Sequence, residues 1–192
     1  RKKDVTFMKR SIFCGLLAAM LLSTPAQAAQ AEQTTRAERS VIVQVDGHWM
    51  DSRGVVRDGV TYVPLRALLD ALGGWTLTWD AGTAAAVAVS GDRTLIADPA
   101  AGTVTLDGVS HSADVSVEQG RTMVPLRLVG ELLGATVEWD PYLSGAAVTS
   151  PDAPYNAVDY YWLSRIISAG SQGEPREGQI AVGNGVLNRL ES

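Results

Sequence analysis

A long string occurs twice in this chain, and the duplication limits the fold more than any other feature. "DGVTYVPLRALLDALGGWTLTWD" fills residues 58–80, and "QGRTMVPLRLVGELLGATVEWD" fills residues 119–140. Pro64 aligns with Pro125, and Asp46-Gly47 with Asp107-Gly108, at an offset of 61 residues. Trp79-Asp80 aligns with Trp139-Asp140 at an offset of 60, so one residue is deleted between helix and strand in the second copy. A repeat of this period marks a supersecondary unit laid down twice.

Both copies follow one grammar. "VIVQV" at 41–45 and "TVTL" at 103–106 are strand patterns, each followed by Asp-Gly, a strong tight-turn signal. Thr-x-Val-Pro-Leu-Arg then opens a helix, with Pro64 or Pro125 in the first turn, where no amide partner is lost. Leu65, Leu68, Leu69 and Leu72 form one apolar face; Leu126, Val129 and Leu133 repeat three of those places and Gly130 takes the fourth. Gly73 and Gly134 stand where a left-handed residue ends a helix. Strands "WTLTW" or "TVEW" follow, then turns at Asp80-Ala81-Gly82 or Asp140-Pro141, then "AAVAV" or "AAVTS". The expected fold class is α+β: two repeated antiparallel β-sheet units, about 40–100 and 101–149, each with one packed helix.

The chain of 192 residues has room for one or two modest cores, and 46% hydrophobic against 19% charged residues argues for a globular protein. "MKRSIFCGLLAAMLLSTPAQA" at 8–28 has a basic start, a short apolar run and a small-x-small end at Ala26-Gln27-Ala28, the pattern of a secretory signal peptide. An uncleaved run would anchor the chain in a membrane, but it is short for a spanning helix, so cleavage and no stable membrane anchor are expected. Residues 1–7 read as upstream of the true start, and 29–39 as a linker. The chain beyond residue 28 carries 11 basic and 20 acidic residues, net −9. That balance repels phosphate backbones and anionic lipid, and excludes nucleic acid as an expected partner. The single cysteine, Cys14, lies within the apolar run, so no disulfide or thiolate metal site is expected.

The duplicated Val-Pro-Leu-Arg…Leu-Gly…Trp-Asp signature, over about residues 40–149, resembles the copper amine oxidase N-terminal-like domain, also called the stalk domain. The resemblance implies a tandem accessory module of secreted bacterial envelope proteins with no catalytic centre. Neither a cofactor nor a metal site is expected. His48 and His111 are not equivalent in the repeat, and cupric ion favours several imidazoles together. Arg66 and Arg127 admit two readings: contacts to a polymer carboxylate, or fork-like pairs with Asp80 and Asp140 that pin helix to sheet. The second is favoured, since planar bidentate pairing is a common helix-to-turn clamp. Trp49, Trp75, Trp79 and Trp139 invite the thought of a sugar-stacking platform, but large aromatics in strands are more often core. Only Trp49, near a turn, is expected to be exposed. The candidate binding residues are thus Arg66, Arg127 and Trp49.

"SPDAP" at 150–154 reads as a linker. Beyond it, Leu163, Ile166, Ile167 and Gly170 recur at helical spacing, with Asn156 or Asp159 as cap, and Pro175 opens another helix. Leu163-Ser164-Arg165, Gly173-Glu174-Pro175, Gly178-Gln179-Ile180-Ala181-Val182-Gly183 and Leu187-Asn188-Arg189 resemble the opening of the cell-wall hydrolase family that includes spore cortex-lytic enzymes. The resemblance covers only the first part of that domain, so a truncated hydrolase domain is expected at 155–192. In that family a glutamate after Ile-x-Ala of the first helix is the catalytic acid. Here Gly170 follows Ala169 at that place. Glu174 is a weak substitute, because it belongs to the Gly-Glu-Pro turn and a general acid must be placed to within about a bond length. Catalytic residues are therefore expected to be absent. The expected protein is a secreted envelope protein of wall-hydrolase architecture, inactive on peptidoglycan or cortex glycan. The alternative is a non-enzymatic envelope-binding or spacer stalk.

Overall fold

The computed structural model describes residues 38–190, so the expected signal peptide and nearly all of the 29–39 linker lie outside the described residues. From the N-terminal side, β1 (Arg39–Val41) and β2 (Val43–Val45) turn at Asp46-Gly47 into β3 (His48–Trp49). A hairpin of β4 (Gly54–Arg57) and β5 (Val60–Pro64) runs into α1 (Leu65–Leu72), followed by β6 (Thr76–Asp80), β7 (Ala85–Ser90) and β8 (Arg93–Asp98). The second copy supplies β9 (Thr103–Leu106), β10 (Val109–Ser112), β11 (Ser116–Glu118), β12 (Arg121–Pro125), α2 (Leu126–Leu132), β13 (Thr136–Asp140) and β14 (Gly145–Thr149). Two longer helices follow, α3 (Ala157–Ser171) and α4 (Arg176–Leu190).

The local signals act as their chemistry requires. In the Asp46-Gly47 and Asp107-Gly108 hairpins both residues have positive φ (49° and 78°; 49° and 83°), the geometry whose twist matches paired strands. Pro64 and Pro125 sit one residue ahead of the predicted first turn, as the last strand residue and the helix cap, with φ near −62° and −63°. Gly73 and Gly134 close the helices at positive φ.

The α+β class and antiparallel pairing agree with the repeat. The sheets, however, are shared between the copies. The central sheet runs β1-β4-β5-β12-β11, with β5 antiparallel to β12. Its middle pair is Val63 opposite Val124, which are themselves equivalent in the repeat. A local two-fold axis therefore passes between these two residues. The flanking sheets are also composite: β10-β9-β8-β7-β6 joins the end of the first copy to the start of the second, and β13-β14-β2-β3 does the reverse. All the pairings are antiparallel except β14 with β2. One core unites Val63, Leu65, Leu68, Val124, Leu126 and Val129 with Val43, Val104, Leu95 and Val148 from the flanking sheets. Neither copy can bury its apolar face alone, so the copies fold as one body.

Gly130, the odd residue of the second helix face, leaves no room for a partner. A Cβ there would stand 2.6 Å from Val137 Cγ2, so the helix lies directly against β13. Arg57 and Glu118 are also repeat equivalents. They meet across the axis through two guanidinium–carboxylate bonds of 2.5 Å. The Arg57 hydrogen bond holds the Glu118 carboxyl below its ordinary 4.5, and partial burial opposes this less strongly. A depressed folded-state value contributes stability above pH 4.5, which is lost as pH falls through the folded value. Discounted for the partial exposure of Glu118, Glu118→Gln is expected to cost about 1 kcal/mol at pH 7. That corresponds to a Tm lower by roughly 2–4 °C. Thermal unfolding of both proteins at pH 7 and pH 3 tests this, because the gap must narrow as the solution is made acid.

The predicted linker is tied down at both ends: Ser150 donates its amide to Asp46 Oδ1 at 2.8 Å, and the Ala157 amide donates to Thr149 Oγ1 at 2.9 Å. Asn156 caps α3, accepting from the amides of Val158 and Asp159. α3 rests on β14 and buries Ala157 and Tyr161. α4 packs on α3 through Gly183, where a Cβ would come 3.0 Å from Ile167 Cδ1. Ile166, Ile180 and Leu187 stay exposed.

Candidate functional site

The two-fold axis creates two related clefts. Each is bounded by the start of one copy's helix, the exposed end of the strand after it, and the hairpin turn of the other copy. Cleft 1, of about 770 Å³, has Pro64, Leu65, Arg66 and Ala67 on one side, Leu77, Thr78 and Trp79 on another, and Gly120, Arg121 and Thr122 across from them. Cleft 2, of about 470 Å³, repeats this arrangement with Pro125, Leu126, Arg127 and Leu128, then Val137, Glu138 and Trp139, then Gly59, Val60 and Thr61.

The repeated arginines bind neither Asp80 nor Asp140, contrary to the sequence expectation. Arg66 donates to the carbonyl of Leu77 at 3.3 Å, and Arg127 to that of Val137 at 2.6 Å. The helix is still pinned to its strand, but by the main chain. β6 and β13 are edge strands whose outward carbonyls need donors, and the guanidinium supplies one. The aspartates close their own turns. Asp80 accepts from the Thr83 hydroxyl and the Gly82 amide, which hold its carboxyl below the ordinary range; Asp140 accepts from the amides of Tyr142 and Leu143.

The tryptophans also depart from expectation. Trp49 is 50% exposed, as predicted, but Trp79 and Trp139 are exposed too, at 50% and 39%. Trp79 shares a strand face with Leu77, which packs on the core, and lies at the open end of an edge strand where no further strand covers it. Trp75 is half-buried under Arg93, with 5.7 Å from guanidinium carbon to ring centre.

The two clefts differ in three ways. Cleft 1 extends over the β2–β3 hairpin, adding Asp46, His48, Trp49, Met50 and Asp51. The equivalent β9–β10 hairpin does not line cleft 2: β8 stands between β7 and β9, whereas β14 pairs directly with β2. Secondly, the Arg39 guanidinium lies over the Trp139 ring at 5.5 Å, whereas among the described residues no ring or cation stacks on Trp79. Thirdly, Arg127 pairs with Glu131 at 3.5 Å, while the equivalent acid, Asp70, is one methylene shorter. Cleft 1 therefore presents two half-exposed indoles and a rim of Asp46, Asp51, Asp70, Arg66 and Arg121, of which Asp46 also holds the Ser150 amide and Arg66 the Leu77 carbonyl. Sequence reasoning missed Trp79 and these acids. The available signal was the recurrence of Trp in both copies on a strand ending in Asp, next to a turn.

The C-terminal helices meet the β2–β3 hairpin beside cleft 1: Trp49 meets Tyr161 edge-on at 5.5 Å, and the Tyr160 ring lies against Gly47. Trp162 Nε1 donates to Asp140 Oδ2 at 2.7 Å, and Asn156 donates to Glu138 at 2.6 Å. Gly170 is exposed on α3, and a Cβ there would meet only Val182 Cγ1 at 3.5 Å, so packing does not demand a glycine. Glu174 is exposed in the turn between α3 and α4, where its main-chain carbonyl accepts from Gln179. Among the described residues no helix is long and apolar enough to cross a membrane.

His48 and His111 lie on different sheets, on β3 and β10, and His48 Nδ1 is 3.0 Å from its own turn's Asp46 carbonyl. Two separated imidazoles do not suit a copper ion. No curated protein and no solved structure matches the chain. The family model for the copper amine oxidase N-terminal domain matches residues 44–150, which is more than half of the chain and takes in both copies of the repeat. The chain belongs to the copper amine oxidase N-terminal domain family.

Proposed function

We propose that this chain is an extracytoplasmic cell-envelope protein that holds a wall glycan in cleft 1. The observation that carries the reading is the pair of half-exposed indoles, Trp49 and Trp79, in one cleft with three carboxylates and two guanidiniums on its rim. A pyranose ring has an axial face of C–H groups, which suits the electron-rich face of indole. Its equatorial hydroxyls suit the rim, where Asp46, Asp51 and Asp70 accept and Arg66 and Arg121 donate. Acids and bases nearly balance there, which favours an uncharged, hydroxyl-rich ligand over nucleic acid or anionic lipid. The leader pattern at 8–28 supports export, and peptidoglycan or another wall glycan is then the polymer at hand.

The residues of α3 and α4 that resemble the opening of a cortex-lytic hydrolase domain support an origin in wall-hydrolase architecture, with the paired repeats presenting the helices to the wall. Catalysis does not follow. The family's acid is replaced by Gly170, whose side chain is a hydrogen atom, and Glu174 lies in an exposed turn. The working part in this reading is the binding cleft. Purified protein is expected to co-sediment with insoluble peptidoglycan and to be released by a soluble β-1,4-linked N-acetylglucosamine tetrasaccharide. Turbidity of the same suspension is expected to match a heat-inactivated control. Protein left in the supernatant would sink the binding reading, and clearing of the suspension would sink the claim of inactivity.

A further inference from the structure

We infer that α3 is the seat of the β2–β3 hairpin, and that Tyr161 is a positioning residue that sets Trp49 for the ligand of cleft 1. The positioning role rests on the glycan reading of that cleft. The hairpin is a slight structure to carry one side of a binding site. β3 has two residues and lies at the edge of its sheet, paired with β2 alone. The Met50 amide closes its open end on the Val43 carbonyl at 2.9 Å. So short an edge strand frays unless something packs on it. Two rings of α3 do so. Tyr161 meets the Trp49 indole at 5.5 Å, with the ring planes 68° apart. The Tyr160 ring fills the space that a Cβ on Gly47 would need.

The repeat supplies an internal control. At the offset of 61 residues, Gly47, Gln44 and Trp49 correspond to Gly108, Thr105 and Ser110 of the β9–β10 hairpin. Nothing lies within 4 Å of a Cβ on Gly108. Thr105 and Ser110 stand opposite one another and satisfy each other, hydroxyl to hydroxyl at 3.2 Å. Gln44 and Trp49 are opposite in the same way, but Gln44 is fully buried, with its side-chain amide unpartnered, and Trp49 leans on α3. A self-sufficient polar pair in one copy is thus a pair that needs a cover in the other. The hairpin that carries these rings lines cleft 1, and its equivalent does not line cleft 2. Tyr161 is itself held by its own helix: the Arg165 guanidinium lies 5.2 Å from its ring centre and Nε donates to its hydroxyl at 3.0 Å. Buried to 7% exposure, it offers a fixed ring. Its contact sets the plane of the Trp49 indole and leaves half of that side chain exposed to meet a sugar, which lowers the ordering cost of binding.

The test follows the full chain by hydrogen exchange at the Met50 amide without ligand, and by titration with a β-1,4-linked N-acetylglucosamine tetrasaccharide. Tyr161→Ala is expected to speed Met50 exchange about tenfold and to weaken binding about tenfold, the size of one lost aromatic pair. Tyr161→Phe, which keeps the ring, is expected to stay within twofold of wild type in both. Tyr160→Ala, at an exposed residue, is expected to move both in the same direction as Tyr161→Ala, and it stands in if that variant does not fold. Amides of β5 and β12 are expected to exchange as in wild type. Unchanged Met50 exchange in both alanine variants overturns the inference, and so does faster exchange with affinity kept; the glycan reading stands in either case if wild type binds. Equal losses in Tyr161→Phe and Tyr161→Ala also overturn it, because the hydroxyl and not the ring would then be at work. A wild type that does not bind overturns the glycan reading and the positioning role with it, while faster exchange in Tyr161→Ala would still support the seat.

Discussion

Gly145→Ala is expected to destabilise the protein by about 3 kcal/mol, lowering Tm by roughly 6–12 °C. The repeat suggests the opposite. Gly145 is equivalent to Ala85, and alanine there is buried without harm, with 1% of its surface exposed. The two positions differ in what lies beside them. β7 pairs with β8, an added antiparallel strand, whereas β14 pairs directly and in parallel with β2. A Cβ on Gly145 would stand 2.6 Å from the Ile42 carbonyl oxygen and 2.7 Å from Ile42 Cγ1. The first obstacle is main chain and cannot swing aside. That oxygen also accepts the Ala146 amide at 3.0 Å, so retreat breaks a bond that joins the two copies. Gly185→Ala is the control: nothing lies within 4 Å of an added Cβ on this exposed α4 residue, and helix propensity there improves by up to about 1 kcal/mol. Urea or thermal unfolding of both variants decides. A loss under 2 °C for Gly145→Ala would show that β2 and β14 are not joined as described.

The same pair of positions shows what the sequence carried and what it could not. Turn type, helix start, helix stop and strand alternation are local properties, and Asp46-Gly47, Pro64, Gly73 and the leucine face state them within a few residues. Which strand neighbours which is not local. An offset of 61 residues reveals two equivalent units, but two separate domains and one interlocked body have the same repeat. The two-fold pairing of Val63 with Val124 lies in the packing alone. Gln44 makes the same point. Alternation in "VIVQV" directs Val43 and Val45 inward and Gln44 outward, toward solvent by the usual rule. Gln44 is instead fully buried, with no partner for its side-chain amide among the described residues. It faces the side of the sheet on which α3 rests beside β14, and no pattern within residues 41–45 foretells that cover.

The candidate site was legible by residue type more than by position. Arg66 and Arg127 stood out because they recur, and they do clamp helix to strand. The partner assigned to them was wrong, because a carboxylate is visible in a sequence and a free edge-strand carbonyl is not. Trp79 and Trp139 were read as core by propensity. Exposure depends on the strand being the last in its sheet, a property of topology.

Trp79→Ala is expected to weaken tetrasaccharide binding about 30-fold while leaving the fold in place. Truncating the indole removes the contact area between ring and sugar, together with the face-specific attraction, about 2 kcal/mol in all. The ring is half exposed, so little core is lost and the change in stability stays within about 1 kcal/mol. Trp49 is a poorer probe, because its ring also meets Tyr161 of α3 and its loss disturbs the docking of the helices. Trp139 is the better comparison. It is the repeat equivalent of Trp79 but stands in the smaller cleft with no second indole in the lining, so Trp139→Ala in the otherwise unaltered chain is expected to keep wild-type affinity within twofold. Binding isotherms for the two variants separate a site from a surface: equal small losses would mean that the sugar meets neither indole, and a larger loss for Trp139→Ala would place the glycan in cleft 2.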